Sequence, residues 1–578
     1  MSPEDTIGTI PALLQHRVKA TPSAIALVEK DTSGKWAQLT WELFNQAVGN
    51  LTQRLLQAGL RSGDQVAILM PNAIDWEIIQ HAVFRLGGVV IGLDLNDTSQ
   101  RIDDILELCM PKALFVDCPE RCLQISAGHL NAFDLIVSHK LDGSSASKIR
   151  MVRLADMPKP LHPMKFRAPD AESFATVIFT SGTTGRPKAL WFTHHQIIKA
   201  IRSITNRFAA LPDQAHTACW LPLANPFQRI INLCAVAANW KCFIVPDPSR
   251  IMNTVQEIEP HFFAGVPRFY EKLCLAIESG IRQKPLWQKA LATWAIDMGR
   301  SVAGKNLAGI TIPLHLRWMH RAAEYLVLKN IRRVMGKQLE FFISGSAPLS
   351  KEMITTCYGL GWTIIEAYGI SENIAPMAMN APGAKRAGSV GRPLPENIIK
   401  IGDDGEILVK SDCLAANVSP RDHDGFYATG DLGRMDAEGY LWLTGRKNDT
   451  FKLSTGRKII PQAIEAAITR LEGVEHALAV GHNRKYVIAL LNVPGENWRR
   501  LTARHGGEEK VRAFLNRQVH SVCSHLPRYC QPADIMIVND CFSSHTGELT
   551  TNFKLRRSAV LSKYASGINA CYQEIDAG

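Results

Sequence analysis

The chain has little that would tie it to a metal cluster, a bilayer or an oxidising compartment. Its thirteen cysteines include no Cys-x-x-Cys pair. Cys118 and Cys122, the nearest neighbours, have no His or Cys cluster beside them, which excludes a zinc finger and leaves buried, reduced thiols. The most apolar run, Ile230 to Val245, is broken by Asn232, Asn239 and Lys241 and is too short to span a bilayer. The opening MSPEDTIGTIPALLQHRV lacks the basic-then-apolar order of a secretory signal, so a cytoplasmic location is expected. No short repeat is present, and 41 Gly and 30 Pro without period exclude solenoid, propeller and collagen-like chains. What remains is a globular composition, 46% hydrophobic and 21% charged, spread over 578 residues and therefore too long for one core.

The order of elements points to an α/β protein. TWELFNQAVGNLTQRLLQAGL has apolar residues at helical spacing and leads through Gly63-Asp64 into QVAILM. DWEIIQHAVFRLG then leads into GVVIGLDL, and RIDDILELCM into KALFVD. Helices alternating with apolar strands predict a parallel sheet covered by helices. Two further strands are expected at Phe341–Ser344 and Thr363–Ala367. After about Gly383 the texture changes to short strands and turns, which predicts a β-rich subdomain over residues 384–445 closing a large domain of residues 1–445. From Arg446 a helix (PQAIEAAITRL), two strands (HALAVGH, YVIALLNV) and a helix (EEKVRAFLNRQVHSV) predict a small α+β domain, residues 446–578. That domain holds nineteen Lys and Arg against twelve Asp and Glu, so +7 of the net +11 lies there.

Four segments carry chemistry. In ATVIFTSGTTGRPKALWF an apolar strand runs into Thr180, Ser181, Gly182, Thr183, Thr184, Gly185, Arg186, Pro187 and Lys188. Glycines let backbone amides approach an anion, the hydroxyls add donors and Lys188 adds charge, which together suit a polyphosphate. Pro187 before the lysine opposes the helix that a Walker loop requires. In IIEAYGISEN, Tyr368 offers a ring for a purine and Glu372 an oxygen ligand for Mg2+. In YATGDLGRMDAEGYLWLTGRKND, Asp431 and Arg446 bracket a hairpin, and a carboxylate there suits ribose hydroxyls. The last, GELTTNFKLRRSAV, places Lys554 before a basic helix start. Read singly, the last three are better explained as a strand-end turn, a β-turn aspartate and a solvated basic stretch.

Taken in order, TSGTTGRPK, YGISE, TGD, GRKND and LTTNFKLRR resemble the adenylate-forming acyl-CoA synthetase superfamily over nearly the whole chain. LPLANPFQRI, VPRFYEKL and FFISGSAPLS resemble its long-chain fatty-acyl group. The resemblance implies that Thr180 to Lys188 hold the β- and γ-phosphates of ATP, that Tyr368 with Gly369 stacks on adenine beside Gly345, Ser346 and Ala347, and that Ser371, where the family has Thr, meets the α-phosphate or the carboxylate. It further implies Mg2+ on Glu372, ribose on Asp431 with Arg446, a catalytic Lys554 bridging carboxylate and α-phosphate, and a hinge at Asn448, where Asp or Lys is usual. Asn225, where the group has His, and Gly456 within Ser454 to Lys458 fall at acyl and thiol substrate positions. Gln228 stands where an acidic residue is usual.

The implied activity is ATP-dependent conversion of a medium- or long-chain fatty acid to an acyl-adenylate and then to a thioester of coenzyme A. Two variants share the first step: delivery to the phosphopantetheine of an acyl-carrier protein, and intramolecular use of the adenylate, as in β-lactone closure. A catalytically silent nucleotide- or lipid-binding member is the reading from another class, supported by Asn225, Gln228 and Asn448. No aromatic and basic recognition face for nucleic acid is evident. The stretch Leu314 to Gly336, basic with Trp and Leu, has a spacing compatible with peripheral membrane contact, although such spacing more often marks a helix packed on its own core.

Overall fold

A computed structural model of the protein describes residues 7–139, 151–157, 167–181, 186–384, 386–419, 422–543, 546–549 and 555–577. Contacts divide the chain into two units. The first comprises Met1–Ile399, Val409–Tyr427 and Asp436–Trp442; the second comprises Lys400–Leu408, Ala428–Met435 and Leu443–Gly578.

The first unit is α/β, as its alternating pattern predicts. The helices Trp41–Gln57, Ile74–Leu86 and Ser99–Cys109 alternate with the strands Gln65–Leu69, Val89–Gly92 and Ala113–Val116. These strands read as unbroken apolar runs because helices cover both faces of a parallel sheet; Val66, Ala67, Ile68, Val90, Ile91 and Leu114 are wholly buried. The sheet has seven strands, in the order Met151–Arg153, Leu135–Ser138, Ala113–Val116, Gln65–Leu69, Val89–Gly92, Phe174–Ser181 and Pro187–Thr193. All neighbours are parallel except the last pair, an antiparallel hairpin. Thr193 ends that hairpin and starts the helix His194–Arg207 with a capping box. Its hydroxyl accepts from the Gln196 N–H at 3.3 Å, and the Gln196 carboxamide accepts from the Thr193 N–H at 2.9 Å.

A second sheet begins with the parallel strands Phe262–Gly265, Phe341–Ser344 and Thr363–Tyr368 and continues through the short antiparallel Ala378–Met379 and Arg392–Pro393. A third joins His216–Cys219 and Lys241–Ile244 to the early strands Ile25–Lys30 and Trp36–Thr40. Two helices, Leu286–Leu307 and Lys351–Gly359, cross at Gly299 and Gly359. A Cβ on Gly299 would stand 2.1 Å from the Gly359 carbonyl oxygen, so both positions require glycine for a close backbone approach. Among the described residues no helix is long and apolar enough to cross a membrane.

Four strands, Asn397–Ile401, Glu406–Ser411, Tyr427–Met435 and Leu441–Arg446, form the β-rich region, and their residues are divided between the two units. The rest of the second unit is α+β. Its sheet pairs His476–Val480 antiparallel with Ile488–Asn492, which pairs parallel with Ile535–Val538. Alternation along the strands serves two cores. Ala477, Ala479, Ala489 and Leu491 face the helices Pro461–Ile468 and Glu508–Cys523, whereas Leu478, Ile488 and Leu490 face Val560, Ile568 and Tyr572.

Candidate active site

The candidate residues of the first unit collect where parallel strands end. The register Gly265↔Ser344↔Glu366 brings Val266, Gly345–Ala347 and Tyr368–Glu372 off the same sheet edge. Ligands of α/β sheets sit at the carboxyl ends of strands, where loops and free backbone amides converge. The Gly345 N–H donates to the Gly265 carbonyl at 3.4 Å, and Ser346 turns the loop with a left-handed φ of 71°, a conformation uncommon for a residue with a side chain. A Cβ on Gly345 would lie 3.4 Å from the Phe227 ring, so the helix Pro226–Ala238 starts against this loop. Asn225 is that helix's N-cap residue. The loop before that helix presses its Ala224 onto Gly92, at 2.8 Å from a Cβ placed there, and Gly92 ends the strand beside Phe174–Ser181. Asn225 thus lies between the Gly345 loop and the strand Val89–Gly92, the neighbour of Phe174–Ser181.

Lys188 pairs with Thr180, and Pro187 with Ser181, across the hairpin. The lysine begins a strand rather than a helix, which matches the effect expected of Pro187. Gly182, Thr183, Thr184 and Gly185 lie outside the described residues, as does Lys554. Lys188 is exposed, Glu372 half-buried, and neither is in an ion pair among the described residues.

One strap ties these two charges together. The Ala415 N–H donates to the Glu372 carbonyl at 2.8 Å, and the Ala416 N–H donates to Trp191 O at 2.9 Å. Asn417 completes it by donating to Ala189 O at 2.8 Å and accepting from the Trp191 N–H at 3.2 Å. The strand that carries Lys188 and the turn that carries Ser371 and Glu372 are therefore held by three consecutive residues that no local pattern marked.

Gln228 is fully buried and its carboxamide is spent on structure. Its oxygen accepts from the backbone N–H groups of Trp220 and Leu221 at 3.3 and 3.2 Å, and its nitrogen donates to Asn232 at 2.9 Å. Asn232 in turn donates to Glu77 at 2.7 Å. Gln228 thereby holds the loop that leads to Asn225.

Glu366 stands two residues before Tyr368, on the same side of the strand, and both are buried. Burial pushes its carboxyl from the ordinary 4.5 up to about 7, against the opposing bond from the Gly388 N–H at 3.0 Å. A raised acid is stable while protonated, so this contribution is complete below pH 4.5 and is lost as pH rises through about 7. The shift corresponds to about 3 kcal/mol. Glu366→Gln keeps an oxygen for Gly388; it is expected to flatten the fall in stability across that window and to leave the variant the more stable protein at pH 8, read from urea midpoints.

In the second unit Asp431 is nearly buried and its Oδ1 lies 3.1 Å from Nε of the exposed Arg446. The turn before it is fixed locally. Gly430 takes φ of 75°, its N–H donates to Glu406 at 2.9 Å, and its carbonyl accepts from the Lys447 N–H at 2.8 Å. The Lys447 ammonium then reaches Glu406 and Asp404, both at 2.6 Å. Asn448 is exposed in the turn that follows Leu441–Arg446. Gly456, with φ of 80°, closes the turn between Phe451–Lys452 and Lys458–Ile459. The described residues flanking Lys554 are anchored. Leu549 bridges to Leu555, Arg556 N–H donates to Glu548 O at 2.7 Å, Lys563 pairs with Glu548 at 2.6 Å, and Arg557 pairs with Glu465.

Glu372, in no ion pair among the described residues, has the chemistry to hold Mg2+, an ion that binds through one or two carboxylates together with phosphate oxygens. Known proteins resemble this chain over nearly its whole length. A long-chain-fatty-acid–CoA ligase of Mycobacterium bovis is 24% identical over 576 residues, covering 94% of this chain and 93% of its own. Another, from Rattus norvegicus, is 26% identical over 615 residues, covering 96% and 84%. The adenylation domain of a carboxylate reductase from Mycobacterium chelonae has the same fold, with a TM-score of 0.77 at 18% identity over 98% of this chain and 91% of that one. The model of the AMP-binding enzyme family matches residues 14–416, and that of the AMP-binding enzyme C-terminal domain matches residues 448–576. With both matches spanning the units that carry the site residues, the chain belongs to the AMP-binding enzyme family.

Proposed function

We propose that the protein joins a medium- or long-chain fatty acid to AMP, releasing pyrophosphate, and then passes the acyl group to the thiol of coenzyme A. The observation that carries this reading is the strap: it holds Lys188 and Glu372, a cation for phosphate and an oxygen ligand for Mg2+, on one rigid support beside the Gly345 and Tyr368 loops. The relatives named as long-chain-fatty-acid–CoA ligases, aligned over almost the whole chain, support the substrate class.

A carboxylate is a poor acylating agent until one of its oxygens becomes part of a leaving group. Attack on the α-phosphate does this, but it requires two anions to meet, and fixed cations must offset their repulsion. The hairpin from Thr180 to Lys188 holds the β- and γ-phosphates and so orients the α-phosphate for in-line attack. Tyr368 with the Gly345–Ala347 loop takes the adenine, Asp431 with Arg446 the ribose, and Ser371 the reacting phosphate or carboxylate. Glu372 holds Mg2+, which when bound supplies charge to the phosphate oxygens. Lys554 bridges the carboxylate and the α-phosphate. For transfer, Asn448 supplies the backbone rotation and the Gly456 turn lines the path of the thiol.

Incubation with ATP, Mg2+ and a panel of carboxylic acids, with and without coenzyme A, tests the assignment by mass spectrometry. Acyl-adenylate without the thiol and acyl-CoA with it are expected. Adenylate that reaches only a carrier-protein thiol would reassign the acceptor, and no adenylate with any acid would remove the catalytic reading. Asn417→Ala should cost at most about 1 kcal/mol of stability, because Asn417 is exposed and its bonds are neutral. If the strap aligns Lys188 with Glu372, the same change raises the KM for ATP severalfold, a shift that steady-state kinetics will show.

A further inference from the structure

The segment between Arg282 and Lys337 holds eleven Lys and Arg against two Asp and Glu, a net +9, which exceeds the +7 of residues 446–578. Since the whole chain is +11, the residues outside these two segments are net negative, and this segment is a concentrated positive field. It contains the helix Leu286–Leu307 and, packed alongside it, a continuous helical run from Leu314 to Arg332 with a π turn at Glu324–Leu328.

The run packs on the core through Leu328, which is buried, and through Val327 and Ile331. Its other large side chains point outward: Ala323 is the only buried residue of Leu314–Ala323, and Leu314 is 70% exposed, Trp318 62% and Tyr325 82%. Helical spacing sets these three on one stripe, with Arg321 among them and its guanidinium 5.4 Å from the Trp318 ring. Glu324, the one acid on the run, is paired with Arg332. Among the described residues Arg317, Arg321, Lys329 and Arg333 are in no ion pair. Leu286 and Trp287, at the start of the preceding helix, are exposed as well.

We propose that the helical run Leu314–Arg332 is a docking surface for an anionic phospholipid membrane, lying in the plane of the headgroups with Leu314, Trp318 and Tyr325 inserted and the arginines on lipid phosphates. The chemistry fits on both counts. Trp and Tyr combine an apolar ring with a polar edge suited to the interface, and unpaired guanidiniums bind phosphate in a fork. An uncharged apolar partner would leave these cations desolvated and unpaired. The proposal uses none of the residues assigned to ATP and does not depend on the reading of that site.

Flotation of the full-length protein with vesicles tests this. Phosphatidylcholine vesicles containing phosphatidylglycerol should carry the protein up, and pure phosphatidylcholine vesicles should not. Each Lys or Arg at an anionic surface contributes about fivefold, so Arg317→Gln with Arg321→Gln should weaken partitioning about 30-fold, with a further fall at high salt. Trp318→Ser with Tyr325→Ser should weaken it about tenfold or more. Melting temperatures and adenylation of a short, water-soluble acid should be unchanged in both. Equal flotation on the two vesicle types, or unaltered flotation of both variants, would overturn the proposal. So would a lipid-independent dimer abolished by Trp318→Ser, which would assign the face to a second copy of the chain.

Discussion

Replacing Lys554 by alanine is expected to lower acid-dependent pyrophosphate release by roughly 10²- to 10³-fold, the cost of removing one fixed donor from a reacting centre. Two like charges 4 Å apart repel by about 4 kcal/mol at an effective dielectric of 20, and a bridging ammonium relieves much of that only while carboxylate and α-phosphate approach. Transfer from preformed acyl-adenylate to coenzyme A involves no such meeting of anions, so it should stay within about twofold of wild type on the same ground. Lys554→Arg should recover part of the first step, because it keeps the charge but not the point geometry. Quenched-flow measurement of the two half-reactions separates them. Equal loss of both would show that the lysine supports the fold or the general site rather than the adenylation step.

The second large effect is expected at Asp431. Hydrogen bonds to a charged acceptor contribute about 1.5–3 kcal/mol each, so Asp431→Ala, by deleting the two proposed ribose contacts, is expected to raise the KM for ATP by about 10²-fold or more. Stability should change little, because the partner left behind, Arg446, is 65% exposed and rehydrates. The nucleotide itself provides the control. If the carboxylate binds ribose hydroxyls, 2′-deoxy- and 3′-deoxy-ATP should be penalised in the wild type and not in the variant, as in a double-mutant cycle. The same penalty in both proteins would place the ribose elsewhere.

What the sequence disclosed and what it withheld have different physical origins. The strand Phe174–Ser181 and the Thr429-Gly430-Asp431 turn are legible because local demands select their residue types: an apolar run where a strand is buried, glycine where φ is positive. The parallel strands are legible because burial on both faces makes them continuous apolar runs. The strap is illegible because Asn417 acts on Ala189, 228 residues earlier, through bonds that any exposed Asn could make. Ile25–Lys30 finds its partner at Lys241–Ile244, a pairing set by tertiary contact alone. Gln228 stood out as a departure from the family pattern; its wholly buried position and its bonds to Trp220 and Leu221 give it a supporting place that only the packing reveals. The Leu314–Arg332 run is a different case. Its spacing is the same whether the apolar stripe faces a core or the outside, and the structure turns it outward.

The proposed first step is attack of a carboxylate oxygen on the α-phosphate of ATP. A fatty acid carrying heavy oxygen in both carboxylate positions, turned over with ATP and coenzyme A, reads this directly. After thioester formation, mass spectrometry should find one labelled oxygen in the AMP and none in the pyrophosphate, because the oxygen that bridged carbon and phosphorus leaves with the nucleotide. Label in inorganic phosphate, with ADP as the nucleotide product, would show an acyl-phosphate route and contradict the account.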